Sequence, residues 1–556
     1  PPSGQPRAAA QLSNRSTASS VFLSPGPTEQ DNTPVLQMNH QQTDEYWYWS
    51  SIATVSGYDA ITHAVQSPGS LAEQAMLTVA VQGFTEVQHE VEVSLGSDVI
   101  GTMLFTGQER ASESFAVPAG KMGGDTLDVT LRTTGAFGYS SLFIEHFDLT
   151  YIRSHAAVAG ELAFGQDSSE AVHLTGLSEI EGLAVLDISS PLAPRWLDGG
   201  EFNAGAFEAA FDAGEFFAAN SSAWNSVSMT PVTEKVKINN GTEYLVIAPE
   251  ELMEGAQALV DYRSAELATQ LVSLESVYDH TSFGEPDPRS IHNYLLGSSN
   301  RPQYVVMVGD GAYDYKDQFD TGYNILSPML VDGGRFGLVI GDTLVGDMDG
   351  DGKIEIPVGR IPAKNNAEVQ TYVDKLSLNE ANGHLPTLLV ADDPDYAGDF
   401  NNSTEWIASQ TEGNFSVLQL SETGYGPARS ELLTQIDDGL NLINYLGHGG
   451  IWTITDEGLL TNADVPNLTN LAAPKLIGLT CNINNFMIPG FDSLGERLLV
   501  KTGNGMVVSW AAAGQSQNTD ATNLGLAFQK VQGGHERLGD AMLQAFIGAT
   551  GLEQVY

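Results

Sequence analysis

The sequence predicts a multidomain protein: an N-terminal all-β, sandwich-like region followed by an α/β domain with a mostly parallel sheet. Three observations predict it. At 556 residues the chain exceeds what one hydrophobic core serves, so two or three domains follow. From about residue 34 to 158, apolar and polar residues alternate with a period of two, and short β-like runs continue to about 225. Past about residue 240, short apolar runs alternate with stretches whose apolar residues recur at helical spacing.

Residues 1–33 are rich in Pro, Ser, Gln, Thr and Ala without periodicity. They read as a flexible arm, because so little apolar surface does not offset the entropy of ordering. Residues 34–158 contain the runs 91–95, 127–131 and 147–151, each with its apolar residues on one face. Turn formers such as Gly96-Ser97-Asp98 and Gly123-Gly124-Asp125 separate the runs, which is the grammar of an antiparallel β-sandwich. Residues 159–240 read as a small β-rich segment and linker, with an apolar run at 183–188. From 241 to 556 the strand candidates are 244–248, 303–308, 387–391, 415–420, 440–445, 475–480 and 505–510. Between them Val369, Tyr372, Val373 and Leu376, and later Ala428, Leu432, Leu433 and Ile436, mark helices.

Composition narrows the function. Seventy acidic residues against 24 basic ones give a net charge of −46, which repels phosphate backbones and excludes nucleic acid as an expected partner. Such a surface fits a saline or calcium-rich exterior, where cations screen its self-repulsion. No apolar run has the length of a membrane span. A single cysteine forms no intrachain disulfide. The chain begins at Pro1 with neither a start methionine nor an apolar signal region, so it is expected to be trimmed or matured.

In open α/β sheets, functional groups gather beyond the carboxyl ends of the strands. The run 440–445 leads into Leu446-Gly447-His448-Gly449-Gly450, and the run 475–480 leads into Cys481-Asn482-Ile483-Asn484-Asn485-Phe486. If these strands are parallel neighbours, His448 and Cys481 emerge at one sheet edge, as proton transfer from thiol to imidazole requires. Amides at Gly449 and Cys481 then serve as an oxyanion hole. Each residue taken alone has a plainer reading: Cys481 as a small buried hydrophobe, His448 as a turn residue. Trp452 and Trp510, close by in sequence, are candidate walls of a substrate pocket, or core aromatics.

A second motif is Asp347-Met348-Asp349-Gly350-Asp351-Gly352-Lys353-Ile354-Glu355. Alternating Asp followed by Gly opens an EF-hand loop, since calcium needs several hard oxygens around a sharp turn. The loop's twelfth position falls on Val358, so the bidentate Glu is missing. The expectation is a shortened structural Ca²⁺ site built from Asp347, Asp349, Asp351 and Glu355, with a plain acidic turn as the alternative.

The string from Asn444 to Gly450, followed by Cys481-Asn482-Ile483-Asn484-Asn485-Phe486, resembles the gingipain-type cysteine peptidases, peptidase family C25. Landmarks at 244–249, 304–310 and 358–362 resemble that family in the same order. The resemblance implies a caspase-like fold and a Cys–His dyad, carried here to Cys481 and His448. It also implies an acid near Asp392 and Asp393 that orients the histidine, for which a solvated acidic turn is the alternative. Members carry a similar Asp-Gly-Asp-Gly loop, and Asp342 fits their pattern. Two departures stand out: Asn484 replaces a common glycine, though asparagine can still adopt a left-handed conformation, and Gly450 replaces a serine. The loop from Asp395 to Ser403 aligns poorly, so no specificity is assigned. The expectation is a secreted or surface-associated cysteine endopeptidase acting through a thioester on protein or peptide substrates, in a cell-surface or extracellular assembly, without an organic cofactor. Alternatives are a sortase-like transpeptidase that processes surface proteins, and a surface adhesin or structural subunit with a vestigial peptidase domain.

Overall fold

The structure, a computed structural model, describes residues 10–12, 18–19, 21–24, 27–36, 46–135, 137–178, 182–225, 236–381, 384–410, 413–470, 472–500, 504–532 and 537–549. The chain divides into two compact units, one of Pro1–Val35 with Glu45–Pro231 and one of Leu36–Asp44 with Val232–Tyr556.

The first unit is all β. One sheet orders its strands Asp98–Thr106, Gln88–Leu95, Thr126–Thr133 and Ala60–Gln66. A second sheet carries Arg110–Val117, Ala75–Gly83 and Ser141–Ser154. The period-two pattern explains the packing, since Val91, Val93, Leu127, Val129 and Leu131 all enter one core with Leu77, Val79, Ile144 and Phe147. Two smaller sheets follow around a core of Leu162, Phe164, Val172, Leu174, Phe211 and Phe216.

Residues 1–33 depart from the expected flexible arm. Ala10–Leu12 and Ala18–Ser19 add parallel to Arg195–Gly199 and Glu170–Leu174, while Val21–Ser24 and Pro27–Glu29 pair with Ser141–Ser154. Composition weighs side-chain burial, whereas an open sheet edge orders a strand through main-chain hydrogen bonds. Residues 1–9, 13–17, 20 and 25–26 of that arm lie outside the described residues.

The second unit holds two all-parallel sheets. In chain order the strands of these two sheets are β1 (Tyr244–Ala248), β2 (Thr269–Ser273), β3 (Tyr304–Val308), β4 (Val358–Ile361), β5 (Thr387–Ala391), β6 (Phe415–Gln419), β7 (Leu442–Leu446), β8 (Lys475–Leu479) and β9 (Val508–Ala511). The first sheet is ordered β2-β1-β3-β4 and the second β6-β5-β7-β8-β9. Strands buried on both faces read as continuous apolar runs rather than alternating ones. Accordingly Leu442 to Leu446 are buried throughout. One face of the second sheet packs on the helix Tyr425–Asp438 through Ala428, Leu432 and Ile436. The other packs on the helices Phe400–Gln410, Asn518–Val531 and Leu538–Gly548. No helix among the described residues is long and apolar enough to cross a membrane.

Ile477 lies in β8 with no exposed surface. Ile477→Ala is expected to destabilise this unit by about 2–5 kcal/mol, the range for emptying a well-packed core position. Urea unfolding followed by tryptophan fluorescence measures the loss, and a change under about 1 kcal/mol would contradict the packing described.

Candidate active site

Two strand ends form the site. Leu446 of β7 lies opposite Leu479 of β8 in parallel register, and Ala391 of β5 lies opposite Leu446 on the other side. Two residues beyond each strand end stand Asp393, His448 and Cys481, on neighbouring strands about 4.8 Å apart. Chain direction therefore delivers histidine and cysteine to one edge.

The His448 segment is held by its backbone. Its N–H donates to Asp392 at 2.9 Å, and its carbonyl accepts from the Tyr445 hydroxyl at 2.5 Å and from the Thr455 N–H at 2.9 Å. Glycine is needed on both sides of it. A Cβ on Gly447 would collide with Asp392 and the Tyr445 hydroxyl, and one on Gly449 would lie 2.6 Å from the Cys481 carbonyl. The imidazole packs edge-on against Phe400, with centroids 5.3 Å apart, and its Nε2 lies 2.9 Å from a carboxylate oxygen of Asp395.

The acid on the imidazole is thus Asp395, not Asp392 or Asp393 as the resemblance led us to expect. Asp392 is buried and supports the histidine's main chain; it also accepts the Asp393 N–H at 2.9 Å. Burial pushes its carboxyl up to about 6, against the lowering effect of those N–H donors. Asp393 turns its carboxylate toward Asp392 and Glu457. Burial acts to raise Asp395, but the Ala397 N–H and the imidazole outweigh it and hold the carboxyl below its usual value. Asp395 sits in a tight turn, with its N–H bonded to the Gly398 carbonyl and its own carboxylate accepting from Ala397. The Asp-Tyr-Ala-Gly spacing of a turn was the available signal, masked by the acids around it.

Cys481 is partly buried, and no hydrogen bond joins its sulfur to His448. The sulfur instead meets Ser516, accepting from its N–H at 3.2 Å. Asn482 adopts the left-handed conformation, with φ of 58°. Asn484 does not adopt it: its side-chain amide donates to the carbonyls of Ser509 and Ala511 and ties the turn to β9. That position is fixed by side-chain bonds rather than by backbone handedness.

The two tryptophans separate. Trp452 is 54% exposed, in the turn between Gly449–Gly450 and Thr453–Ile454. Trp510 pairs with Ile477 four residues below the level of Cys481 and packs against Phe528 and Phe546. It belongs to the core, not to a substrate pocket at the dyad. It also borders a partly open pocket of about 320 Å³, whose walls include Arg360 and Phe486 but neither His448 nor Cys481.

The acidic loop lies before β4. Asp347, Asp349 and Glu355 each offer a carboxylate oxygen within 4.8 Å of the others. Asp347 accepts from the N–H groups of Gly350 and Gly352, at 2.7 and 2.9 Å. Asp351 stands outside the cluster, because Lys353 draws its carboxylate away at 3.3 Å. Asp342 is likewise committed, to Arg360 at 2.6 Å.

The raised carboxyl of Asp392 has a pH consequence. With a folded value above the unfolded one, the folded state holds a proton that the unfolded state releases. Its contribution is full below the usual carboxylate value and is lost as pH rises through about 6. Asp392→Asn removes that loss. The variant's melting temperature relative to wild type is expected to be higher at pH 7 than at pH 4, and a difference independent of pH would contradict the assignment.

The sequence profile of peptidase family C25 matches residues 237–554. Among solved structures, dimeric latent PorU from Porphyromonas gingivalis is 14% identical with a TM-score of 0.49, over 67% of this chain and 40% of that one. The complex of the pro- and mature domains of RgpB from the same organism is 16% identical with a TM-score of 0.45, over 55% and 73% of the two chains. No curated protein matches the chain. The profile spans more than half of the sequence and runs through the second unit from β1 to its last helix, and so the chain belongs to peptidase family C25, a family of cysteine peptidases.

Proposed function

We propose that the protein is a cysteine endopeptidase in which Cys481 is the nucleophile and His448 its general base, acting on protein or peptide substrates through a thioester. The observation that carries this reading is the register of β7 with β8, which brings the two residues to adjacent strand ends, with Asp395 on the imidazole. A carboxylate on Nε2 favours a proton there and leaves Nδ1 as the base for the thiol. His448 takes the thiol proton, and Cys481 attacks the scissile carbonyl. The oxyanion accepts from the N–H groups of Gly449 and Cys481, and His448 returns the proton to the leaving amine. Water then hydrolyses the thioester. Trp452, exposed beside the dyad, is the candidate wall for the substrate. The net charge of −46 and the acidic loop support a secreted or cell-surface setting rich in calcium.

Cys481→Ala and His448→Ala are expected to abolish peptide cleavage while leaving the melting temperature within a few degrees of wild type. Asp395→Asn lowers kcat by about 10²–10⁴-fold with KM little changed, because the imidazole loses its orienting partner. Undiminished turnover by Cys481→Ala would overturn the mechanism.

The loop Asp347, Asp349 and Glu355 fits a calcium ion that stabilises the fold. Calcium at 100-fold excess over its Kd adds about 2.7 kcal/mol. In thermal melts, Asp349→Ala is expected to lose the calcium-dependent rise and Asp351→Ala to keep it. An equal rise in wild type and Asp349→Ala would place the ion elsewhere.

A further inference from the structure

We propose that the backbone N–H of Ser516 is a second stabiliser of the reacting sulfur, holding Cys481 as a thiolate independently of His448; this rests on the reading of Cys481 as the nucleophile. Among the described residues, the sulfur's three hydrogen-bonding contacts are all with Ser516. It accepts from the Ser516 N–H at 3.2 Å, faces the Ser516 carbonyl at 3.6 Å and lies 3.8 Å from the Ser516 hydroxyl. As a thiol, Cys481 donates to that carbonyl. Once the proton has passed to the imidazole, the carbonyl has nothing to accept, whereas the N–H and hydroxyl remain as donors. The N–H is the nearest of the three.

Its position is fixed by main chain. The residues after β9 run antiparallel to the nucleophile turn: the Gly514 carbonyl accepts from the Asn482 N–H at 2.8 Å, and the Ala512 carbonyl from the Asn484 N–H at 3.4 Å. Two residues beyond Ser516 the helix Asn518–Val531 begins, capped by Gln517, whose carbonyl accepts from the Ala521 N–H. The N–H is therefore set between a zipped loop and a helix start and does not withdraw when the sulfur becomes charged. The positive end of the helix adds to it. The titratable groups that follow the neighbouring strand ends are His448, Asp392, Asp393 and Asp395, and the helix's first turn carries Asp520. All but His448 are acidic and oppose a thiolate. A dedicated donor at the sulfur offsets them.

The lone cysteine makes the test clean, because every S-carbamidomethylcysteine found reports Cys481. Iodoacetamide forms an S–C bond with the thiolate and releases iodide, so its rate at pH 7 relative to pH 10 reads the thiolate fraction and requires no peptidase activity. The measurement uses the full chain carrying His448→Ala, which removes the imidazole. Adding Ser516→Pro, which deletes the N–H, is expected to lower the pH 7 rate about tenfold with the pH 10 rate unchanged, the size of one hydrogen bond to a charged group. Adding Ser516→Ala, which keeps the N–H, changes it less than about twofold. A second comparison needs no Ser516 variant: the pH 7 to pH 10 ratio of folded His448→Ala exceeds that of the same chain in urea by about tenfold. Equal ratios in the folded and unfolded chain, or a Ser516→Ala loss as large as that of Ser516→Pro, would overturn the proposal. Retained cleavage by Cys481→Ala would instead overturn the nucleophile assignment.

Discussion

The parallel, in-register pairing of β7 with β8 is the constraint on which the rest of the site depends. Leu446 opposite Leu479 sets His448 level with Cys481. Because side chains alternate across a sheet, a slip of one residue would send one of the two to the other face. Both strands are buried on both sides, so their register is enforced by packing along their whole length. The chemistry at the edge thus inherits its geometry from the apolar core beneath it.

Around that pairing, two aspartates divide one task. Asp392 grips the main chain of His448 and Asp395 grips its ring. The first is buried and costly to ionise, which is tolerable only because N–H groups converge on it. The second is partly exposed and keeps its charge, as a group that stabilises an imidazolium must. Gly447 and Gly449 make the arrangement possible by letting Asp392 and Cys481 approach where a side chain would not fit. On the sulfur side the same logic recurs, with main-chain bonds from Asn482 and Asn484 closing the nucleophile turn onto the residues after β9.

Much of this was readable from residues alone, for identifiable reasons. The strands of the second unit are apolar runs too short for helices, and Tyr244–Ala248 and Thr387–Ala391 fall where those runs do. His448 and Cys481 stand out because glycines flank the one and the other is the sole cysteine. What stayed hidden was decided by main-chain geometry. Asp395 is one acid among several in a turn, and only the fold of that turn aims it at the ring. Ser516 acts through an N–H that every residue except proline possesses. Trp510 misled because nearness in sequence to the dyad is not nearness in space: in β9 it lies level with Ile477, within the core. The strands between residues 10 and 34 were missed because edge pairing leaves no apolar signature.

The central claim is that the imidazole at one strand end activates the sulfur at the next. Its most direct test is intact-mass analysis of the chain after reaction with a peptidyl acyloxymethyl ketone, a reagent that needs an activated thiol and a bound peptide together. The account predicts a single adduct on Cys481 in the wild-type chain and much slower formation of the same adduct in His448→Ala. Adduct formation at equal rates in both chains would contradict it.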